Sequence, residues 1–189
     1  LIRDAKKRNL DITASTSLAH LIFSDKDINE FNTNLKFNPP LRSEIDCKSV
    51  KEGLIDGTID YLTSMHEPLD IDNKKVVFDL ATPGSIGLES VFGNMCNNFT
   101  LEKTIDILTR NKSIFEIEDH PIEKGSYADL TLFNPDKSYE FSNEHILSTS
   151  KNCAYLGTKL KGIVYGSINN NNSTSVSYTH LTLPTIRSV

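Results

Sequence analysis

The residues best suited to chemistry lie in short loops that follow β-rich runs. TSMHEPLD (Thr63 to Asp70) sets His66 and Glu67 beside Pro68, directly after TIDYLTS. An imidazole beside a carboxylate can move protons. Neighbours on an extended chain point to opposite faces, however, so the two are not expected to act on one atom, and Glu67 reads as solvated. His20 follows the alternating run LDITAS. A histidine just past a strand is placed to hold a metal ion, and equally to serve as an ordinary hydrogen-bonded residue. Asn38 and Arg42 bracket the double proline of NPPLR, a rigid loop able to offer an amide and a guanidinium to a small anionic substrate. The alternative is a turn cap at Asn38 and an ion pair from Arg42 to Glu44 or Asp46. His120 and His145 have acidic neighbours but no metal-ligand spacing, and read as surface residues. No G-x-G-x-x-G, P-loop or nucleophile elbow is present.

These loops need a scaffold, and the bulk properties bound it. Apolar residues make up 38% and charged residues 24% of the 189, enough for one ordinary domain with a core. A net charge of −5 argues against a nucleic-acid surface. No apolar run approaches the roughly 18 residues a membrane span needs, and the polar, basic start LIRDAKKRNL is no signal peptide. Cys47, Cys96 and Cys153 lack C-x-x-C spacing and are expected as reduced thiols in a cytoplasmic protein.

Residues 1–9 read as the end of a helix, and LDITAS as a short strand. SVKEGLIDG reads as a helix capped by Ser49 and stopped by Gly57, and TIDYLTS as a strand. SIGLESVFGNMCN carries Leu88, Val91, Phe92, Met95 and Cys96 on one helical face. Thr100 caps the next helix, with Leu101, Ile105 and Leu108 as its apolar face. SIFEIED, ADLTLFNP and GIVYGSI then read as short strands. This order predicts an α/β fold: the C-terminal part of a (β/α)8 barrel over residues 1–111, then β-sandwich segments over 112–170. Two barrel strands where eight are required make the chain an incomplete fragment, expected to expose sheet edges and aggregate. Residues 171–189 are expected to be a disordered or spurious tail. VSYTHLTLPT (Val176 to Thr185) resembles a translated sequencing adapter, so Ser175 to Val189, with His180, are set aside.

Taken together, NLKFNPPLRSEID, GLIDGTIDYLTS-x-HEPLD and FDLATPGSIGLES resemble the C-terminal half of the dihydroorotases, within the cyclic amidohydrolases. ITASTSLAHLIFSD resembles the preceding strand and loop, and SYADLTLFNPDKSYEF with LGTKLKGIVYGSI the closing β-sandwich segments; the match runs over roughly residues 8–170. The resemblance implies a TIM-like barrel that binds zinc and hydrolyses or closes the ring of dihydroorotate, converting it to or from N-carbamoyl-aspartate in pyrimidine synthesis. His20 matches a metal-binding histidine of that family, and Asn38 an asparagine that contacts substrate. The family's D-H-x-P-H motif stands here as Met65-His66-Glu67-Pro68-Leu69. Met65 thus replaces the aspartate that is metal ligand and proton shuttle, and Leu69 replaces a substrate-holding histidine. No catalytic residue of the motif is intact, and the chain is expected to be catalytically impaired. The family's remaining metal ligands belong to a front half of the barrel that this sequence lacks. The alternative implied is a non-catalytic dihydroorotase-like structural partner of aspartate carbamoyltransferase, or a homo-oligomer, with no nucleic acid and no membrane.

Overall fold

Ser43 decides where the longest helix begins. Its hydroxyl accepts from the Asp46 amide while the Asp46 carboxylate takes the Ser43 amide at 3.1 Å, a closed capping box. In the computed structural model, which describes residues 1–170 and 172–175, this helix is α3, Glu44–Asp56. The expected start at Ser49 is therefore corrected. Ser49 lies inside the helix and returns its hydroxyl to the Ile45 carbonyl, while the Ser-x-x-Asp box opens at Ser43, nearly two turns upstream. Gly57 ends it in the left-handed region, φ 79, as expected.

Before α3 come α1 (Ile2–Lys7), β1 (Ser15–Ser17) and α2 (Leu18–Ile22); β2 (Tyr61–Thr63) follows it. The strand expected from LDITAS is shorter and later than its alternation suggests. Its approach is fixed by Asp60, which accepts from the Ala14 amide and from Lys6 Nζ. β1 and β2 pair in parallel, Ser15 opposite Tyr61 and Ser17 opposite Thr63, joined by a crossover containing α3.

α4 (Val91–Asn98) and α5 (Leu101–Thr109) come next, and Thr100 caps α5 as its position suggested. Leu88 lies in a 3-10 turn before α4 and is exposed. On α5 the buried residues are Thr104 and Ile107, whereas Ile105 and Leu108 are each 39% exposed. The face that packs was chosen by contacts to α4 and β2, not by apolar count.

SIFEIED is not a strand: it forms a 3-10 turn, Lys112–Phe115, and then irregular chain. β3 (Asp129–Glu140), β4 (Lys159–Asn169) and β5 (Asn172–Ser175) form one antiparallel sheet in that order. Register shifts at Leu132/Phe133 and Asn134/Ser138 accommodate Pro135. Among the described residues this is a single sheet packed against α4, where segments of a sandwich were expected. Gly162, at φ 92, sits where a Cβ would come within 3.0 Å of both Cys96 and Phe92, so only glycine lets α4 lie this close to β4. β5 also lies within the stretch expected to be disordered, and its pairing to β4 carries the sheet past residue 170. Residue 171 and residues 176–189, with the adapter-like run and His180, lie outside the described residues.

The two expected units share a core. Leu18, Leu54, Ile86, Met95 and Ile107 pack in one cluster with Phe141, Ile146, Tyr155 and Leu160. A smaller cluster of Ala19, Leu35, Phe37 and Leu41 lies beneath the NPPLR loop. Cys47, Cys96 and Cys153 are free thiols, and burial pushes Cys153 up to about 11. Among the described residues no helix is long and apolar enough to cross a membrane.

Candidate active site at the strand ends

The register of β1 on β2 sets the level of the site. Ser17 opposes Thr63, so the chain leaves both strands on the same side, toward His20 in one case and Met65 in the other. Parallel strands with helical crossovers present catalytic groups at this C-terminal edge.

His20 is held on both ring nitrogens. Ser17, which caps α2, accepts from the His20 amide at 3.3 Å and lies 2.6 Å from Nδ1. Nε2 is 3.0 Å from the Pro39 carbonyl. A carbonyl only accepts, so Nε2 carries a proton, and in the neutral ring Nδ1 then accepts from the Ser17 hydroxyl. The structure thereby joins His20 to the NPPLR loop, whose Asn38–Pro39 peptide is cis. Asn38 itself is exposed. Arg42 stands 4.0 Å from Asp46 on the open surface, a weak pair of the ordinary kind.

Beyond β2, Met65 takes φ 46 and is 41% exposed. The left-handed region is costly for a side chain such as methionine and readily taken by Asn or Asp. His66 turns away to receive the Gly87 and Leu88 amides on Nδ1, at 3.4 and 3.2 Å. The same Nδ1 is 3.7 Å from Glu89 Oε2, which would be an ion pair only if Nδ1 were protonated. The two amide donors require its lone pair, so His66 is read as the neutral, Nε2-protonated form. Glu89 has other work: its Oε1 accepts from the Leu147 and Ser148 amides. Glu67 is exposed, as expected, and its carboxylate lies over Gly84, where a Cβ would stand 2.5 Å from an oxygen.

Two residues that sequence reasoning missed hold these loops in place. Asn152, buried, donates to the Glu67 carbonyl and accepts from the Leu69 amide. Lys74, only 7% exposed, donates to the carbonyls of Thr33 and Thr82 at 2.9 and 2.8 Å, and Thr33 returns a bond to the Lys74 carbonyl. Burial pushes the Lys74 ammonium down to about 8, with Glu67 opposing the shift and Lys36 adding to it. Lys36 similarly reaches the carbonyls of Phe78 and Asp79. All three side chains bond to backbone more than 40 positions away, or across a fold between loops, and no local pattern announces such partners.

The donor set at the strand ends does not suit zinc. One imidazole is engaged at both nitrogens, and the chain leaving the paired strand carries a thioether, a soft ligand poorly matched to a site of imidazole and carboxylate. Among the described residues no group of three or more His, Cys, Asp or Glu is gathered to hold a metal ion. His120 and His145 are elsewhere engaged, His120 against the Tyr127 ring and His145 receiving the Ser142 amide.

No protein-family model matches the chain. Among solved structures, the L-hydantoinase (dihydropyrimidinase) of Arthrobacter aurescens superposes with a TM-score of 0.80 at 20% identity, over 92% of this chain and 41% of that one. A D-hydantoinase from Thermus sp. gives 0.78 at 17% identity, over 94% and 43%. The inactive dihydroorotase-like domain of the Chaetomium thermophilum CAD-like multifunctional protein gives 0.60 at 19% identity, over 91% and 46%. The fold is that of the hydantoinase and dihydroorotase-like amidohydrolases. In sequence, the dihydroorotase of Endomicrobium trichonymphae is 38% identical over 170 residues, 86% of this chain and 40% of that protein. The dihydroorotase of Staphylococcus aureus is 35% identical over 169 residues, 86% and 40%. The chain is thus a relative of the dihydroorotases over most of its length, and it spans 40% of the length of these curated relatives.

Proposed function

We propose that the chain is the C-terminal part of a dihydroorotase-type barrel of pyrimidine biosynthesis, acting on the cyclic amide of dihydroorotate or on N-carbamoyl-aspartate, and that its catalysis is impaired. Residues 1–111 are its barrel part and 112–170 its closing β segments, and the protein is cytoplasmic. One observation supports the reading: Ser17 and Thr63 stand level in the parallel pair, His20 and Met65 follow just beyond these strand ends, and a thioether cannot titrate. Asn38 is the substrate-contacting amide, with Leu69 standing where the family's substrate-holding histidine would be. Loss of an acid–base group removes about 10²–10⁴ of rate, and the zinc implied by the family has no fitting donor set in this chain. Support for a larger barrel comes from β1 and β2, each paired on one edge only among the described residues. An apolar groove lined by Tyr61, Leu108, Phe115 and Ile117 runs beside β2.

The test is zinc content and dihydroorotate turnover of the full-length protein, beside the Met65→Asp/Leu69→His variant. Little turnover in the parent and a gain in the variant are expected. Stoichiometric zinc with full turnover in the parent would overturn the reading.

A second reading is a non-catalytic partner of aspartate carbamoyltransferase, or a self-assembling scaffold. It is favoured by the fold shared with a domain described as inactive and dihydroorotase-like, together with the paired losses at Met65 and Leu69. Co-purification of a zinc-free, inactive protein with a carbamoyltransferase distinguishes it.

A further inference from the structure

A cleft of about 510 Å³ opens beside Leu69, a volume within the range of small-molecule sites. Leu69 and Ile71 give it an apolar wall, and Lys74, Lys75 and Lys151 line it with Asp70 as the one carboxylate of the lining, while Glu67 also acts on Lys74. That local excess of positive charge runs against a chain of net charge −5. Two of the ammonium groups are fixed before any ligand arrives. Lys74 is held by the Thr33 and Thr82 carbonyls, and Lys151 by those of Ile146 and Ser148. An ammonium has three N–H donors, so each retains one, and the entropy of ordering these long side chains has already been lost on folding. Lys75 is exposed at the rim. Asp70 is partly engaged, accepting from the Asp72 amide.

The charge of the lining points to the ligand. Three lysines act as separate point charges, and their summed charge suits a compact, multiply charged anion better than a singly charged carboxylate. Thr149 and Ser150 line the same cleft, and their hydroxyls can donate to further anion oxygens. We propose that the cleft binds a phosphate monoester of a small organic molecule. The phosphoryl group sits among Lys74, Lys75 and Lys151, and the organic part rests on Leu69 and Ile71. The cleft shares Leu69 with the proposed substrate site but not its lysines, and the proposal requires neither metal nor turnover at the strand ends.

Titration calorimetry on the full-length protein at constant ionic strength tests it, with phenyl phosphate, inorganic phosphate and benzoate as probes. Saturable one-to-one binding of phenyl phosphate, weaker binding of inorganic phosphate and none of benzoate are expected. Lys75→Ala should weaken phenyl phosphate about tenfold, the scale of one charge-assisted hydrogen bond, with no change in melting temperature. Lys151→Gln should weaken it as much or more. Benzoate binding as tightly as phenyl phosphate, no saturable binding, or an unchanged affinity in Lys75→Ala would overturn the proposal.

Discussion

The side-chain amide of Asn152 donates to the carbonyl of Glu67 at 2.9 Å, across 85 positions of sequence. Its oxygen takes the Leu69 amide at 3.1 Å, so one buried side chain satisfies two backbone groups of the HEPL turn. The loop at the candidate site is thus held from the C-terminal third of the chain.

Asn152→Ala removes both bonds and leaves a buried carbonyl and amide to find water. Unsatisfied buried groups cost about 1–3 kcal/mol each when none is available. The denaturant midpoint should fall by an equivalent amount, and the Leu69 amide should exchange with deuterium faster than in the parent. Unchanged exchange at Leu69 would show that the amide is not held this way.

Met65 sits at φ 46, where Asn or Asp is at ease and methionine is not. Left-handed backbone costs about 1–2 kcal/mol for an ordinary side chain. Met65→Asn should therefore raise stability by up to about 1 kcal/mol, read as a higher urea midpoint at constant slope. Met65→Asp should do likewise, so a turnover gain in the double variant would not come at the expense of folding.

Lys74 gives stability a pH dependence of unusual sign. Unfolded, its ammonium keeps the proton up to about 10.5; folded, burial lets it go near 8. Between those values the unfolded state binds more protons, so this group makes stability rise with pH there and contributes no slope below 8. The full window corresponds to something on the order of 3 kcal/mol. Urea unfolding at pH 7.5 and 9.5 should show the rise in the parent and not in Lys74→Met, which is expected to be less stable at both, because the carbonyls of Thr33 and Thr82 lose their donor.

Metal removal should leave the fold untouched. With His20 bonded to Ser17 and Pro39 on both nitrogens, the loop is closed by the protein itself. Treatment with EDTA should shift the melting temperature by less than about 1 °C, whereas a bound structural ion would stabilise the fold through mass action. A larger drop, reversed by added zinc, would show that the imidazole exchanges its carbonyl for a metal.

Local signals in the sequence were read well where the cause is local. Thr100 caps α5, Gly57 stops α3, and TIDYLTS contains β2, because a cap, a left-handed stop or a β-branched run acts through its nearest neighbours. The capping residue of α3 was misplaced because two serines compete, each with an acid three positions on, Asp46 and Glu52, and only Ser43 with Asp46 closes a capping box. The apolar face of α5 was misjudged because Ile105 and Leu108 satisfy the periodicity while Thr104 and Ile107 meet the neighbouring elements. SIFEIED alternates like a strand but has no partner among the described residues, and β propensity without pairing does not make one.

At the candidate site the division is sharper. The residue types alone determined that position 65 carries no titratable group and position 69 no imidazole, since a thioether and an isobutyl chain cannot acquire one from any fold. They also determined the kinship to dihydroorotases, because NPPLR, HEPLD and ATPGSIGLE are contiguous strings. Only the tertiary structure decided that His20 bonds to Pro39, that Asn152 and Lys74 hold the loops, and that three lysines meet around one cleft. Those contacts span from 3 to 85 positions, and their partners are backbone carbonyls and one amide, groups that every chain possesses and no sequence pattern singles out.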